Sequence, residues 1–263
     1  MREEAGIRYA LDESGVARVT IDRPDRLNAI DAAAEHALMG IWEEVERDAR
    51  TRCVILTGAG ERAFSTGADM KSDGGKSGLE YWAAERRGGF GGIALRETLD
   101  VPVIARVNGH ALGGGMEMVL GCDIVVAARH ATFGLPEPRV GRLALDGGIA
   151  LLPRRIPHVW AMGLLLTGRR IGADEAVRMG LVNEVVEAAQ LDAAVQRWVD
   201  DILACAPLSL RAIKQMVRSG AALGAKEAQQ LRLPALIAAL ISADQEEGVR
   251  AFREKRAPRW TGR

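Results

Sequence analysis

Two short stretches of the chain each place one carboxylate beside a turn. Residues 108–117, Asn-Gly-His-Ala-Leu-Gly-Gly-Gly-Met-Glu, put three glycines before an apolar helix whose first turn contains Glu117, and residues 133–137 end in Glu137. Backbone N–H groups at a helix start are unpaired and favour negative charge, and glycines let another group approach them closely. Two carboxylates beside such a backbone predict proton transfer next to a developing oxyanion.

Each carboxylate also has a simpler interpretation. Glu117 lies among apolar neighbours such as Met116 and Met118, so we expect it to be buried, and a buried carboxylate needs partners or becomes protonated. It could otherwise be a first-turn acid favoured by the helix dipole. Glu137 follows Pro136 in an apolar loop, and loop acids are usually solvated.

Several segments, taken in order, resemble the crotonase (enoyl-CoA hydratase/isomerase) superfamily. They are Arg-Pro-Asp-Arg-Leu-Asn-Ala at 23–29, Ala-Phe-Ser-Thr-Gly-Ala-Asp-Met-Lys at 63–71, the two carboxylate stretches, Leu-Thr-Gly-Arg-Arg-Ile at 166–171 and Ala-Phe-Arg-Glu-Lys-Arg at 251–256. The resemblance covers nearly the whole chain. The part from Leu152 to Trp260 is most similar to the carnitinyl-CoA dehydratase branch.

The resemblance implies a role for each site position. Glu117 and Glu137 match the paired catalytic acids, and the backbone N–H groups of Ala68 and Gly114 match the oxyanion hole. Further matching positions surround coenzyme A in this family: Arg26, Ala68, Asp69, Met70 and Lys71, with Phe252 and Lys255 reaching the coenzyme A of a neighbouring subunit. Arg26 and Lys71 could instead be solvated charges, and Phe252 could be the apolar anchor of an amphipathic helix.

One segment departs from the family pattern. After Gly141, where many hydratases read close to Ile-Pro-Gly-Ala-Gly-Gly, this chain reads Leu-Ala-Leu-Asp-Gly-Gly at 143–148. Carnitinyl-type relatives place an acid where this chain has Leu145, so we expect a bulkier, apolar wall of the acyl pocket there. Asp146 is either a third functional acid in this pocket or the cap of a helix that begins near Gly147; we favour the cap.

Composition excludes several other classes of protein. Lys plus Arg and Asp plus Glu are 35 each, and this balance argues against a nucleic-acid-binding protein. No apolar run approaches the ~20 residues that span a bilayer, and the N-terminus lacks the apolar core of a signal peptide. Three separated cysteines and four separated histidines show no metal or redox spacing. We expect a cytoplasmic protein with no metal and no cofactor beyond the coenzyme A of its substrate.

A possible dinucleotide motif is discounted. Residues 58–63, Gly-Ala-Gly-Glu-Arg-Ala, imitate the G-x-G-x-x-A fingerprint, but Phe-Ser-Thr-Gly follows at 64–67 where that motif should open a helix. No G-x-S-x-G nucleophile elbow occurs either.

The pattern of strands and helices predicts an α/β protein. Strands are predicted at 16–21, 53–57, 101–107 and 123–127, and Asp31 is predicted to cap a helix. Residues 72–92 are interpreted as a mobile segment with a short helix. Strand signals stop after Leu191, and helices are predicted near 191–205, 207–219, 226–241 and 244–254.

The resemblance refines this fold. It implies a spiral of ββα turns over residues 1–190 and a helical region, 191–263, that packs against neighbouring subunits. Its dense apolar run at 231–241 predicts a homotrimer or a dimer of trimers.

The function expected is that of an enoyl-CoA hydratase, which adds water reversibly to a 2,3-enoyl-CoA thioester. Two alternatives use the same scaffold: an enoyl-CoA double-bond isomerase, which needs one base, and a carnitinyl-CoA-type dehydratase. From another class, a non-catalytic acyl-CoA-binding protein or an RNA-associated relative is disfavoured by the two glutamates and the zero net charge.

Overall fold

The computed structural model describes residues 1–71, 78–84 and 86–263. Within these ranges the chain forms eleven strands in two sheets. The strands are β1 (Arg2–Glu4), β2 (Ile7–Leu11), β3 (Val16–Ile21), β4 (Cys53–Gly58), β5 (Ala63–Ser65), β6 (Val103–Val107), β7 (His110–Leu112), β8 (Ile124–Ala128), β9 (Thr132–Gly134), β10 (Ile171–Gly172) and β11 (Glu184–Val186).

The sheets have unequal sizes. The larger has seven strands in the order β1-β2-β3-β4-β6-β8-β11, and the smaller has four in the order β10-β9-β7-β5. In the larger sheet β3, β4, β6, β8 and β11 run parallel, whereas β1 and β2 add an antiparallel edge. No helix in the ranges that the structure describes combines the length and the apolar character needed to cross a membrane.

Helices alternate with these strands along the chain, and the described C-terminal part after β11 is helical. They are α1 (Ala32–Arg47), α2 (Gly78–Ala83), α3 (Gly114–Leu120), α4 (Gly148–Arg155), α5 (His158–Thr167), α6 (Ala173–Arg178), α7 (Leu191–Leu203), α8 (Pro207–Gly220), α9 (Ala225–Gln229), α10 (Pro234–Leu240) and α11 (Ala243–Glu254). Short 3₁₀ helices cover Pro24–Arg26, Phe90–Gly92, Glu137–Val140 and Ala188–Gln190.

A repeated unit generates this arrangement. A strand of the larger sheet is followed by a short strand of the smaller sheet and then by a helix, as in β6–β7–α3 and β8–β9–α4. Because β4, β6 and β8 pair in parallel in one sheet while β5, β7 and β9 pair in parallel in the other, each unit advances one strand in both sheets. The spiral of ββα turns that the sequence led us to expect is confirmed.

Apolar side chains fill both faces of the larger sheet. One face packs with α1 and α3 in a core that includes Trp42, Phe64 and Met118. The other face is covered by α7, whose Val195 and Val199 join a second core with strand residues. Contacts of α7 with the sheet therefore cross the boundary expected between residues 190 and 191.

Most predicted elements are present, and one predicted helix is divided. Asp31 caps α1 by accepting a hydrogen bond from Ala34 N at 2.9 Å, as predicted. The helix predicted over 226–241 is two helices, α9 and α10, because Pro234 starts a new helix and cannot occupy a helix interior without removing a backbone hydrogen bond.

The segment 72–92, expected to be mobile, is only partly described. Residues 72–77 and 85 lie outside the described ranges, and the short helix expected in the segment is α2. Gly89 and Phe90–Gly92 pack inside the protein, and Trp42 Nε1 donates a hydrogen bond to Gly91 O at 2.8 Å. Positive φ angles let Gly91 and Gly92 pack closely against α1. The expected mobility of the segment stays a prediction.

Candidate active site

The start of α3 is built from glycines whose backbone conformation or close contacts disfavour a side chain. Gly113, at the N-cap position, has φ of 55° and ψ of −130°, a conformation that side chains rarely allow. A Cβ added to Gly115 would lie 2.0 Å from Ser65 O. The glycines therefore let the N-terminus of α3 lie directly against the strand that contains Ser65.

Glu117 lies in the first turn of α3 and is 3% exposed. Its Oε1 accepts a hydrogen bond from the backbone N–H of Gly148 at 2.9 Å. Burial raises the pKa of Glu117 to about 8; the Gly148 N–H opposes this increase, and the charges of Asp146 and Glu137 add to it. At neutral pH the Glu117 side chain thus holds its proton and remains able to release it.

Glu137 reaches the same region from the 3₁₀ helix Glu137–Val140. Its Oε1 faces Gly113, since a Cβ added there would lie 3.0 Å from this oxygen. Its Oε2 is buried and has no hydrogen-bond partner among the described residues. Burial raises the pKa of Glu137. The structure thus brings the two sequence-predicted acids close enough that the charge of Glu137 affects the proton affinity of Glu117.

The two predicted oxyanion-hole N–H groups come from adjoining backbone segments. A Cβ added to Gly67 would lie 2.7 Å from Gly114 N, so the chain before Ala68 touches the start of α3. Ile30 pairs with the segment on both sides of Ala68, through Ile30 N to Gly67 O and Asp69 N to Ile30 O, both 2.8 Å. Apart from bonds inside helices and strands, the described residues 1–71, 78–84 and 86–263 include no backbone oxygen that accepts a hydrogen bond from Ala68 N or Gly114 N.

The predicted coenzyme A segment forms a polar cluster beside Ala68. Asp69 is 7% exposed, and its Oδ2 lies 3.1 Å from Nη1 of Arg26. Lys71 N donates to Asp69 Oδ1 at 3.1 Å, and Met70 is 64% exposed. Asp69 therefore holds Arg26 and the Lys71 backbone in place, while the Met70 and Lys71 side chains face outward.

Asp146 does not cap α4, so the favoured prediction for this residue is wrong. Gly147 occupies the N-cap position, and no side-chain cap hydrogen bond is made there. Asp146 is 7% exposed, its Oδ2 accepts a hydrogen bond from the Tyr81 hydroxyl, and its Oδ1 lies 3.2 Å from Arg86 Nε. The carboxylate therefore accepts a hydrogen bond from Tyr81 and forms an ion pair with Arg86 instead of capping the α4 backbone. Leu145, the other departure from the family pattern, is partly buried.

Sequence reasoning missed the partners of Asp146. Arg86 also pairs with Glu35 of α1 and lies over the Tyr81 ring, 4.5 Å from its centroid. The sequence offered only a weak signal for these partners, since Tyr81 is one of few aromatic residues in a segment rich in glycine and charge.

Known proteins resemble this chain along nearly its whole length. The model of the enoyl-CoA hydratase/isomerase family matches residues 12–263. The chain belongs to the enoyl-CoA hydratase/isomerase family. Among its relatives, carnitinyl-CoA dehydratases of Proteus mirabilis and Escherichia coli K12 are 37% and 38% identical, over 94% of this chain and 95% of each relative.

Solved structures of family members superpose over nearly the whole chain. An enoyl-CoA hydratase from Mycobacterium tuberculosis is 33% identical with a TM-score of 0.88, covering 98% of this chain and 99% of that one. An enoyl-CoA hydratase from Bacillus anthracis is also 33% identical, with a TM-score of 0.89 and coverage of 98% and 100%. The family assignment and the spiral fold expected from the sequence are confirmed.

The two remaining predicted coenzyme A residues lie in α11 and directly after it. Phe252 of α11 is 85% exposed, and Lys255 follows the helix in the left-handed conformation; their expected contact with a neighbouring subunit stays a prediction. In the described part of this family member, no group of three or more His, Cys, Asp or Glu side chains could hold a metal ion.

The suspected dinucleotide motif has no helix after it. The motif covers the end of β4, the turn at 59–62 and the first residue of the short strand β5. Asn108 Nδ2 holds the turn by donating a hydrogen bond to Gly60 O at 2.6 Å. A nucleotide-binding helix N-terminus is therefore missing where the motif requires one.

Proposed function

We propose that this chain catalyses the reversible addition of water to a 2,3-enoyl-CoA thioester. The observation that carries the proposal is the convergence of two desolvated carboxylates, Glu117 and Glu137, on the N-terminus of α3. Family membership supplies the substrate class, since the related hydratases and dehydratases act on CoA thioesters by name.

In the proposed reaction, the N–H groups of Ala68 and Gly114 donate hydrogen bonds to the thioester oxygen. Water held between Glu117 and Glu137 attacks C3; one carboxylate takes a proton from the water, and the other donates a proton to C2. The C2–C3 π electrons pass through an enolate whose charge develops on the thioester oxygen. Losing one such donor typically costs ~10²–10³ in rate. The steps involve only proton transfer and addition, so they require no metal or redox cofactor.

Other activities on this scaffold make different demands on the two acids. A double-bond isomerase needs one base to move a proton, so the second desolvated glutamate favours hydration. A carnitinyl-CoA-type dehydratase uses the same chemistry in reverse, and the identity of 37–38% to those enzymes supports it as an alternative. A non-catalytic acyl-CoA-binding protein would have no use for a carboxylic acid poised near neutral pH.

Turnover of enoyl-CoA thioesters tests the proposal directly. We expect the purified protein to remove the enoyl-thioester absorbance of at least one member of a panel that varies in chain length, branching and polarity. Binding of an acyl-CoA without turnover would favour the binding protein, and movement of the double bond without hydration would favour the isomerase.

Coenzyme A would lie along the polar cluster of Arg26, Asp69, Met70 and Lys71, with Phe252 and Lys255 contributed to a neighbour's site. Self-association is supported by apolar residues that a single chain leaves uncovered in region 191–263: Ile237, Leu240, Ile241 and Phe252, exposed by 48%, 62%, 80% and 85%. Exposed apolar surface of this kind typically buries against a partner. We expect a trimer or a dimer of trimers, and a solution mass near the 28.2 kDa of one chain at micromolar concentration would refute it.

The compartment remains an expectation. Cys53, Cys122 and Cys205 are all free thiols, which fits the reducing cytoplasm that we infer for this enzyme.

A further inference from the structure

Glu137 belongs to a stretch of chain that is held between α3 and the turn where α5 ends, residues 167–170, which we call the α5 turn. On one side, Gly134 O accepts a hydrogen bond from Gly113 N at 2.9 Å. On the other side, a Cβ added to Gly134 would lie 3.1 Å from Arg169 O. The α5 turn is part of a segment that resembles the family in sequence, and the proposed reaction gives it no role.

Arg139 fastens this stretch to the α5 turn. Its Nε donates a hydrogen bond to Thr167 O at 3.0 Å, and Thr167 is the last residue of α5. Carbonyl groups at a helix C-terminus lack partners within the helix and carry the negative end of its dipole, so they favour a cation. The last turn of α5 reads Leu-Leu-Leu-Thr, and Arg139 therefore supplies this cation from a different segment.

Gly168 lets Arg139 pack closely against the α5 turn. Its φ of 57° is in the left-handed region, which favours glycine. A Cβ added to Gly168 would lie 3.1 Å from Arg139 Cγ and 3.4 Å from Pro136 Cα, so a side chain there would push on residues on both sides of Glu137. An exposed hydrogen bond contributes little by itself, but here the apolar stem of Arg139 packs over the turn as well.

A movement of Arg139 would be passed on to Glu137, because both residues belong to the same short 3₁₀ helix. Pro136 and Pro138 fix the backbone φ on either side of the acid. Arg142 N donates a hydrogen bond to Glu137 O at 2.9 Å and closes the far end of the helix. The helix therefore moves as one body, and the Glu137 carboxylate moves with it.

We propose that Arg139 is a positioning residue for Glu137: by binding the C-terminus of α5 and packing on Gly168, it fixes the 3₁₀ helix that presents this acid to the site. The proposal deepens the hydratase assignment and rests on it for its catalytic meaning. Arg139 acts through the position of the acid and does not touch the substrate, so its loss should affect the chemical step and not substrate binding.

Steady-state kinetics of Arg139→Ala and Arg139→Lys on an accepted enoyl-CoA tests the proposal. We expect Arg139→Ala to lower kcat about tenfold, part of the ~10²-fold that a misplacement of about 1 Å can cost, and to leave KM within about twofold. Lysine keeps a cation that can reach Thr167 O, so Arg139→Lys should recover most of the loss. Arg47→Ala is the matched control, because Arg47 Nε also donates to a helix carbonyl, Glu43 O at 2.9 Å, and its loss should leave kcat unchanged.

A pair of glycine variants tests the packing against Gly168. Gly168→Ala should lower kcat by about the same factor as Arg139→Ala, since the new Cβ displaces the arginine stem. Gly141→Ala is its control: Gly141 follows the same 3₁₀ helix with φ of 70°, and no described atom lies within 4 Å of an added Cβ. Gly141→Ala should therefore lose stability and keep its kcat. Added to Arg139→Ala, Gly168→Ala should cause no further loss of kcat, because the side chain that it displaces is already gone.

Backbone amide exchange provides a measurement that does not depend on activity. We expect Arg139→Ala to exchange the amides of residues 137–142 several-fold faster than wild type, because the 3₁₀ helix is no longer fastened to α5. Arg47→Ala should exchange this segment at the wild-type rate.

A wild-type kcat in Arg139→Ala would overturn the proposal, and so would a loss confined to KM, which would make Arg139 a substrate-binding residue. If Arg139→Ala does not fold, equal kcat values in Gly168→Ala and Gly141→Ala have the same consequence. If no enoyl-CoA is hydrated, the hydratase assignment fails on its own, and the exchange rates still decide the inference: faster exchange in Arg139→Ala supports the anchoring of the Glu137 helix, and unchanged exchange refutes it.

Discussion

Glu117 Oε1 accepts a hydrogen bond from Gly148 N, 31 residues further along the chain, at 2.9 Å. This bond ties the first turn of α3 to the first residue of α4. Gly148 is itself closely packed, because a Cβ there would lie 2.6 Å from the Ala144 Cβ. The acid is therefore held by a backbone group that cannot easily move, which favours one geometry for proton transfer.

Glu117→Gln and Glu137→Gln should each lose hydration activity by a factor of about 10²–10⁴, the usual contribution of general acid–base catalysis. Glutamine keeps the shape of each side chain, and its amide oxygen can still accept from Gly148 N, so both variants should fold. Steady-state kinetics on an enoyl-CoA that the wild type accepts, with a melting curve for each variant, measures this.

The control is Glu46→Gln, because Glu46 is a partly buried glutamate that pairs with Arg96 of another segment. Its loss should change stability and leave turnover close to wild type. Near-wild-type hydration by either site variant would contradict the paired-acid mechanism. Isomerase activity that survives in just one of them would point to the rival reaction.

The stability contribution of Glu117 should decrease as pH rises. Burial raises the pKa of Glu117 from its ordinary 4.5 to about 8 in the folded state, so the folded protein binds the proton more tightly than the unfolded chain. The contribution is complete below about pH 4.5 and is lost as pH rises through about 8. It is of the order of a few kcal/mol, at about 1.4 kcal/mol per pKa unit.

Glu117→Gln removes this dependence, so its stability relative to wild type should increase from pH 5 to pH 8 in urea unfolding. Glu46→Gln should behave in the opposite way. Burial acts to raise the pKa of Glu46, but hydrogen bonds from Arg96 and Thr98 outweigh it and lower the pKa, so its contribution is present above the ordinary value and is lost at acid pH. Parallel pH profiles for wild type and Glu117→Gln would show that Glu117 ionises normally.

Gly113→Ala should impair catalysis more than folding. The new Cβ would lie 3.0 Å from Glu137 Oε1 and would sit on a residue with φ of 55°, so Glu137 must move. We expect a loss of about 1–3 kcal/mol in stability from backbone strain and of about 10²-fold in kcat/KM from the displaced acid. Gly180→Ala has positive φ, +80°, with open space around it, and so should lose stability alone. Equal activity losses in both would mean that strain, and not the proximity of Glu137, is responsible.

The sequence predicted the parts of the site that depend on local patterns. The glycine run placed Glu117 at a helix start, and the alternation of short apolar strands with helices predicted an α/β fold. The spiral itself followed from resemblance, because periodicity does not distinguish one parallel sheet arrangement from another.

The side-chain partners of Asp146 could not be predicted, since an acid before Gly-Gly has the pattern of a cap. Its actual partners, Tyr81 and Arg86, lie about sixty residues away in the chain. Long-range pairing of this kind leaves no local signal. The same holds for Trp42, whose indole fixes the Gly91 backbone from a different helix.

Leu145→Asp tests whether Leu145 lines the acyl pocket. Leu145 is partly buried and immediately precedes Asp146. The Asp146 carboxylate already pairs with Tyr81 and Arg86. A second acid at 145 would have no cation free to pair with in that cluster, and beside an alkyl chain it would be costly. Each Å² of apolar surface that stays hydrated in the variant complex weakens binding by about 25 cal/mol. We therefore expect kcat/KM to fall for apolar enoyl-CoAs and to be retained for polar or cationic ones.

Leu143→Asp is the control, because Leu143 is 61% exposed two residues earlier and should affect neither class. A uniform loss over all acyl chains in Leu145→Asp, with an unchanged melting point, would place Leu145 outside the acyl pocket.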